Sequence, residues 1–170
     1  MKNYKYCFFS VVFTLLVINI NAQIKVGPLF SDDMVLQRNS EVPIWGEADA
    51  NQEISIQSSW NQKKTTTKAD SDGNWSVKIE TPEAGGPYNI DIISSNSNVK
   101  LSNVLIGEVW ITSGQSNMQM TLNGYTHEPV LGSLDMIANA NNTNIRLFTF
   151  KRVTSNKPIR DVKGKWLVSN

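Results

Sequence analysis

Gly114 and Ser116 are the residues whose types and spacing best fit a chemical role. They follow an apolar run at residues 104–111. Because α/β enzymes place ligands outside the carboxyl ends of their strands, a serine there is a candidate nucleophile. Gly114 would permit a sharp turn, and a helix beginning near Ser116 would direct its unpaired N–H groups at an oxyanion. The pattern differs from the G-x-S-x-G elbow because Asn117 and Met118 follow the serine.

Ser116 also fits a structural role. Serine is a favoured N-cap residue, and Gln119 three positions later would complete a capping box. Spacing alone favours the cap, because caps are far commoner than catalytic serines. The two roles are compatible, since a serine that opens a helix can still present its hydroxyl to solvent.

A serine nucleophile needs a base, and His127 is the only histidine in the sequence. It lies near Gly124, Glu128 and Pro129, in a stretch that predicts a loop. Geometry rather than chain order defines a catalytic triad, so His127 stays open as a base. A surface or substrate-contact role is the favoured interpretation.

Other acidic residues predict structure rather than chemistry. Asp70, Asp72 and Gly73 resemble the start of a calcium loop, but the distant glutamate is missing and a hairpin turn is favoured. Asp32 and Asp33 would point to opposite faces of a strand, so they do not form a pair for glycoside hydrolysis. No phosphate loop, metal cluster or dinucleotide fingerprint occurs, so we expect neither metal nor cofactor.

Four tryptophans could stack on sugar rings. Trp45, Trp75 and Trp110 lie within apolar strand patterns, so we expect them in the core. Trp60, between a serine and an asparagine, is expected to be the exposed one.

Residues 24–105 predict the all-β element that must support this chemistry. Short runs of alternating or clustered apolar residues are separated by turn signals at residues 72–74, 85–87 and 96–98. Residues 72–74 predict a hairpin, and residues 85–87 predict a break before the next strand. This spacing predicts a small antiparallel β-sandwich.

After residue 103 the pattern changes. Residues 104–111 predict a buried strand of a parallel sheet, residues 131–140 a helix and residues 145–150 another strand. This order is typical of an α/β domain, with the boundary near residues 102–106. The second domain would have only about 65 residues here, fewer than such domains normally need.

Net charge and the N-terminal segment indicate which partners and which cellular location to expect. The 170 residues carry a formal charge of +1, which gives no electrostatic reason to expect nucleic acid or a membrane surface as partner. Residues 1–22 have a basic start, a short apolar run and a small residue, Ala22, before a cut. They predict a signal peptide and a periplasmic or extracellular protein, with an uncleaved anchor as the alternative. Cleavage would remove Cys7, the only cysteine, so no disulfide is expected.

Several ordered motifs carry a resemblance to a known family. Residues 107–118 (GEVWITSGQSNM) resemble the first sequence block of the SGNH-type serine esterases, specifically the sialate O-acetylesterases. Residues 29–38 (LFSDDMVLQR) resemble the opening signature of these enzymes. Their N-terminal β-domain is matched by residues 42–46, 72–75 and 85–88. The resemblance covers roughly residues 24–125.

The resemblance implies a carbohydrate O-acetylesterase with Ser116 as nucleophile and backbone oxyanion donor. Gln115 and Asn117, beside it in the same block, are assigned to substrate binding. The implied partner is an acetylated carbohydrate such as O-acetyl sialic acid, with no metal or cofactor. The family's aspartate and histidine come in later blocks that this sequence lacks, so we expect the chain to be inactive by itself.

The implied organisation is a signal peptide at 1–22, a β-sandwich at 23–103 and the beginning of an SGNH-type, flavodoxin-like α/β esterase domain at 104–170, incomplete here. The alternative is a non-catalytic β-sandwich that binds carbohydrate or another partner. The segment that ends in Gly114 and Ser116 argues against it, because a binding module has no use for an exposed serine after a buried strand.

Overall fold

The computed structural model describes residues 23–159 and 162–169, so the predicted signal peptide at residues 1–22 lies outside the described residues. This part of the chain contains ten β-strands, one short α-helix and one 3-10 helix. In chain order the strands are β1 (Lys25–Val26), β2 (Val35–Gln37), β3 (Glu41–Glu47), β4 (Glu53–Ser58), β5 (Lys64–Lys68), β6 (Asn74–Glu80), β7 (Gly85–Ile93), β8 (Asn98–Gly107), β9 (Asn142–Phe150) and β10 (Gly164–Ser169). The 3-10 helix (Ser116–Gln119) and helix α1 (Ser133–Ala138) lie between β8 and β9.

Two sheets form the predicted sandwich. One has the strand order β1-β3-β6 and the other β2-β8-β7-β4-β5. All their pairings are antiparallel except β2 with β8, which is parallel. Alternation along each strand directs one face inwards. In β3, for example, Ile44 and Gly46 are buried while Glu41, Pro43 and Glu47 are exposed.

A single hydrophobic core lies between these sheets. Ile44 and Ile79 reach it from one sheet, and Ile54, Ile90 and Val104 from the other. Complete burial of such a side chain contributes about 1.5–3 kcal/mol, so these residues account for much of the fold's stability. All the described buried hydrophobic residues lie between Ile24 and Ile106.

The turn predicted at residues 72–74 is confirmed, but the hairpin is wrong. Gly73 has a φ of 83°, and Asp70 Oδ1 accepts hydrogen bonds from the backbone N–H groups of Asp72 (2.9 Å) and Asn74 (2.8 Å). The strands on either side belong to different sheets, because β5 pairs with β4 and β6 pairs with β3. The Asp70 turn therefore carries the chain across the sandwich.

Two other turn signals have different outcomes. The turn predicted at residues 96–98 is present but lies slightly earlier, at residues 94–97, where the Ser94 N–H donates to the Ser97 carbonyl at 2.9 Å. Residues 85–87 do not precede the next strand but begin it, as the irregular first part of β7. The register between β7 and β8 shifts between Gly85 and Tyr88, so the glycines accommodate an irregularity within the sheet.

Strand β8 corrects the expectation of a buried parallel strand at residues 104–111. It runs from Asn98 through the predicted boundary to Gly107, pairing with β7 and β2 of the sandwich. Beyond it the chain is irregular, and Trp110 and Ile111 are 83% and 93% exposed. The apolar run at residues 104–111 therefore contains the end of a sandwich strand and an exposed segment after it. An apolar pattern alone does not show at which residue strand pairing stops.

The tryptophans are only partly as predicted. Trp75 is 3% exposed and belongs to the core, as expected, and Trp45 is half-buried. Trp110 is exposed, so its placement in the core was wrong. Trp60 was expected to be exposed but is half-buried, and its indole N–H donates to the Glu80 carbonyl at 3.0 Å.

Beyond the sandwich, the predicted helix and strand are present in shortened or altered form. Helix α1 covers only Ser133–Ala138, within the predicted residues 131–140, and has no buried residue. Strand β9 includes the predicted residues 145–150, but it pairs antiparallel with β10. The described residues therefore contain no parallel pairing in this region, and the division into two domains stays a prediction. No helix in residues 23–159 or 162–169 has the length and apolar character needed to cross a membrane.

The β9–β10 hairpin packs against the sandwich through one face. The Trp166 indole N–H donates to the Leu29 carbonyl at 2.8 Å. Arg146, whose side chain is nearly buried, lies 3.7 Å from the Asp33 carboxylate and donates to Asn103 Oδ1 at 3.3 Å. These contacts attach the C-terminal part of the described chain to the loop between β1 and β2 and to strand β8.

Candidate functional site

Ser116 is the first residue of the 3-10 helix, and it is exposed. Gln115 and Asn117, the predicted substrate-binding residues, are exposed on either side of it. Within the described chain, the Ser116 hydroxyl forms no hydrogen bond to another residue. The structure thus presents the predicted nucleophile to solvent, with its two neighbours beside it.

The predicted capping box is wrong. Gln115, not Ser116, is the N-cap residue, and it forms no side-chain cap hydrogen bond. The turn is instead closed by the backbone, where the Met118 N–H donates to the Gln115 carbonyl at 3.0 Å. Capping therefore does not occupy the Ser116 hydroxyl. Ser116 opens the helix, so its backbone N–H has no partner within that helix.

Gly114 does not have the positive φ that a sharp turn would need. Positive values occur at other glycines, including Gly73 and Gly124. Its constraint is close approach, since a Cβ at Gly114 would lie 2.6 Å from Cγ of Met118. A small residue is needed because the Met118 side chain folds back over the chain.

His127 forms no hydrogen bond with Ser116 in the described part of the chain. It lies at the exposed tip of a tight turn, in which the backbones of Tyr125 and Glu128 exchange hydrogen bonds of 3.1 and 3.0 Å. The turn reaches the serine through Tyr125, whose hydroxyl donates to the Ser116 carbonyl at 3.4 Å. Across residues 23–159 and 162–169, no histidine or carboxylate hydrogen-bonds to Ser116, so no catalytic triad is assembled there.

A set of interactions at the end of β8 holds the chain that leads to Ser116. The Glu108 carboxylate accepts from Arg38 Nε at 2.6 Å and from Gln37 Nε2 at 3.0 Å. The Val109 N–H donates to Gln37 Oε1 at 2.9 Å, and Arg38 also pairs with Glu83 at 3.2 Å. We call Gln37, Arg38 and Glu108 the Glu108 clamp.

The clamp shifts the pKa values of its two charged members, Glu108 and Arg38. The Gln37 hydrogen bond, and then Arg38, lower the pKa of Glu108 below its ordinary value. The hydrogen bond that Arg38 donates to Glu108 raises the pKa of Arg38 in turn. The charged forms of both residues are therefore favoured in the folded chain.

Sequence reasoning missed the clamp, although its members lie in the two most distinctive motifs. Gln37 and Arg38 end the motif at residues 29–38, and Glu108 is the second residue of the one at residues 107–118. The available signal was a polar residue directly beside an apolar run, as Gln37 follows residues 34–36 and Glu108 precedes residues 109–111. The structure shows that these two motifs meet in space and determine where the Ser116 segment leaves the sandwich.

Metal chemistry finds no support in the residues that the structure describes. No three histidine, cysteine, aspartate or glutamate side chains converge there closely enough to hold an ion. Asp70, the candidate calcium ligand, instead accepts two backbone hydrogen bonds within its own turn.

Comparisons with known proteins agree with the resemblance in the motifs. The chain is 34% identical over 102 residues to the sialate O-acetylesterase of Homo sapiens, covering 54% of this chain and 19% of that protein. It is 28% identical over 140 residues to the Rattus norvegicus sialate O-acetylesterase, covering 77% of this chain and 25% of the relative. No protein-family model matches.

A solved structure shows the same relationship in three dimensions. The crystal structure of a carbohydrate acetylesterase from Xanthomonas citri superposes with a TM-score of 0.77 at 30% sequence identity. The match covers 86% of this chain and 32% of that one. The chain thus spans between about a fifth and a third of the length of the relatives it matches. In sequence and in fold, it is similar to part of each of them.

Proposed function

We propose that this sialate O-acetylesterase-like chain carries the serine nucleophile of a carbohydrate acetylesterase. The observation that carries the proposal is the exposed Ser116 hydroxyl at the start of the 3-10 helix, which no described residue engages. The names of the relatives supply the reaction class, since they are sialate O-acetylesterases and a carbohydrate acetylesterase.

The chemistry follows from an activated serine. A base takes the Ser116 proton as Oγ attacks the acetyl carbonyl, and the Ser116 N–H donates to the resulting oxyanion. The sugar hydroxyl leaves with a proton from that base, and an acetyl-serine remains. Water then attacks the acetyl group, releasing acetate and restoring Ser116. Gln115 and Asn117 border the position of the acetylated sugar.

The base and its carboxylate partner belong to sequence blocks beyond those matched here. The resemblance implies an aspartate and a histidine from later blocks, and the described residues place no such pair at Ser116. We therefore propose that the 170-residue chain is inactive by itself, because a serine without a base is a weak nucleophile. Its proposed substrate is an acetylated sugar, of which O-acetyl sialic acid is the example implied by the relatives.

The wider organisation belongs to the same proposal. The SGNH-type α/β domain predicted at residues 104–170 would begin only after β8, at about residue 108, and its further strands would cover apolar residues such as Trp110 and Ile111. Residues 1–22 would direct the protein to the periplasm or the cell exterior.

The test is acetate release by the complete native product, measured with O-acetylated sialic acid and with a chromogenic acetyl ester. We expect Ser116→Ala to lower kcat/KM by about 10³-fold or more, as for other catalytic serines. Ser113→Ala is the matched control, because Ser113 is an exposed serine in the same segment and should leave activity unchanged.

Three results would overturn the proposal. Full activity in the Ser116→Ala protein would remove the nucleophile. Robust activity of the 170-residue chain that is lost in His127→Ala would make His127 the base and the chain complete. If the native product has the mass of this chain and no activity, the non-catalytic carbohydrate-binding β-sandwich becomes the better interpretation.

A further inference from the structure

A second candidate site lies on the sheet β1-β3-β6, in a cleft of about 930 Å³. The cleft is bounded by β1, the end of β3, the Asp70 turn and the start of β6. None of its lining residues belongs to the Ser116 segment or to the Glu108 clamp, so it is a separate feature of the sandwich.

Trp45 gives the cleft an aromatic wall. Its side chain alternates with the buried Ile44 and Gly46, so it lies on the outer face of β3 and is half-buried. The Phe30 ring meets it edge-to-face at 5.6 Å. A Cβ at Gly27 would lie 2.5 Å from the Trp45 ring, so the ring packs directly on that backbone. Contacts with both residues hold the indole in one orientation.

Polar side chains without hydrogen-bond partners line the cleft together with this ring. Ser76 is the cross-strand neighbour of Trp45, and Asn74 is the neighbour of Glu47. The side chains of Asp72, Asn74 and Ser76 form no hydrogen bond with other residues in the described part of the chain. A hydroxyl, an amide and a carboxylate thus remain available as donors and acceptors beside an aromatic surface.

The charge of the cleft narrows the class of ligand. Its lining includes three carboxylates, those of Glu47, Asp70 and Asp72, but only one ammonium group, that of Lys25. Lys25 is itself paired with Glu47 at 3.3 Å. An anionic ligand would therefore meet net repulsion, whereas a neutral polyol would not.

We infer that this cleft binds a neutral pyranose of a carbohydrate chain, with the sugar ring against Trp45 and its hydroxyls on Asn74, Ser76 and Asp72. Aromatic surface combined with paired donors and acceptors matches the apolar face and hydroxyl edge of a pyranose. The inference does not rest on the proposed esterase activity, since the cleft includes no residue proposed for it.

The binding test uses the folded full chain carrying Ser116→Ala, which separates binding from any hydrolysis. Xylohexaose, cellohexaose and mannohexaose serve as neutral probes and N-acetylneuraminic acid as the anionic one, with saturation-transfer NMR and calorimetry as readouts. We expect saturable binding of at least one neutral probe and much weaker binding of the anionic sugar. Trp45→Ala should weaken the neutral probe about tenfold, equivalent to losing one stacked ring.

Two further variants keep the test decisive if Trp45→Ala unfolds the chain. Asn74→Ala should weaken the neutral probe several-fold, and Asp72→Asn should reduce the discrimination against N-acetylneuraminic acid. Lys78→Ala is the control, because Lys78 is an exposed residue of the same strand outside the cleft.

No saturable binding of any neutral probe at about 10 mM would overturn the inference, since even weak specific sites bind at such concentrations. So would binding that Asn74→Ala and Trp45→Ala leave unchanged in folded protein. Preferential binding of N-acetylneuraminic acid would contradict the argument from charge. Because Ser116 is absent from this protein, each outcome is independent of the proposed esterase function.

Discussion

At the scale of single residues, the candidate site combines a serine hydroxyl without a hydrogen-bond partner and a carboxylate with two. The Ser116 hydroxyl has no partner in the described chain, whereas Glu108 accepts two side-chain hydrogen bonds at the end of β8. This division suits a nucleophile on a positioned segment, because the serine must remain available while its backbone must leave the sandwich in one direction.

The first residue-scale prediction concerns the pKa of Glu108. Gln37→Leu and Arg38→Met each remove a hydrogen bond to the carboxylate, so each should raise this pKa towards its ordinary value of 4.5. Gln37→Leu removes the leading cause of the shift, whereas Arg38→Met removes a second hydrogen bond together with the attraction of its charge. Carboxyl-carbon NMR during a pH titration gives the measurement.

The sign of the pH effect follows from the direction of the shift. A carboxyl whose pKa is lower in the folded chain stabilises it above the unfolded-state pKa, and that stabilisation is lost as pH falls through the folded-state value. The folded chain should therefore be less acid-sensitive near pH 4 when Glu108→Gln removes the titration. An unchanged Glu108 pKa in both the Gln37 and Arg38 variants would show that the clamp does not form in solution.

At the scale of elements, the β9–β10 hairpin has two unlike faces. Trp166 packs on Phe148 at a centroid distance of 5.3 Å and hydrogen-bonds to the sandwich through Leu29. Leu167, the next residue, is exposed on the opposite face. Alternation along a strand puts successive side chains on opposite faces, so only one face of this hairpin is attached to the sandwich.

The element-scale prediction compares these two neighbours. Trp166→Ala removes packing and a hydrogen bond, and it should destabilise the docked hairpin by about 1–3 kcal/mol, less than for a fully buried tryptophan. Leu167→Ala should change stability by no more than about 0.5 kcal/mol, because its side chain packs on little.

Hydrogen exchange localises the effect. In the Trp166 variant, amides of β9 and β10 should exchange faster while those of β4 and β7 keep their protection. Equal losses of protection in the Trp166 and Leu167 variants would contradict the assignment of the docked face.

At the scale of the whole molecule, stability is concentrated in the sandwich. Its described core begins at Ile24 and ends at Ile106, and no described residue after the clamp adds a buried hydrophobic side chain. Large apolar groups are instead exposed there, among them Trp110, Ile111 and Leu131. The chain thus joins a well-packed unit to a part with little core of its own.

The whole-molecule prediction is that a chain of residues 23–108 folds without the rest. It contains the described core, both sandwich sheets and the Glu108 clamp, so it should unfold cooperatively on heating. Residues 109–169 by themselves should not, because apolar burial is the main source of stability. Circular dichroism and calorimetry of the two pieces provide the measurement.

Dye binding gives a second readout for the same pair of chains. The 170-residue chain should bind a hydrophobic fluorescent dye through its exposed apolar residues, and the shorter chain should bind much less. Failure of residues 23–108 to fold cooperatively would show that the β9–β10 hairpin is an essential part of the sandwich.

The sequence by itself predicted the sandwich, its turns at residues 72–74 and 96–98, and the family resemblance. These depend on local signals: alternation of apolar residues, glycine and asparagine at turns, and short ordered motifs. Such signals act over a few residues, so they are readable without knowing which strands meet.

Only the tertiary structure decided the features that depend on long-range pairing. It shows that β8 belongs to the sandwich and that the turn at Asp72 and Gly73 connects strands of different sheets, not the two strands of a hairpin. In the folded chain Trp110 is exposed, Trp60 is half-buried and Ser116 has no capping role. The fold also brings Gln37 and Arg38 into contact with Glu108. An apolar or polar residue can satisfy the same local pattern whether or not a partner from a distant strand covers it, and the location of that partner is a property of the folded chain.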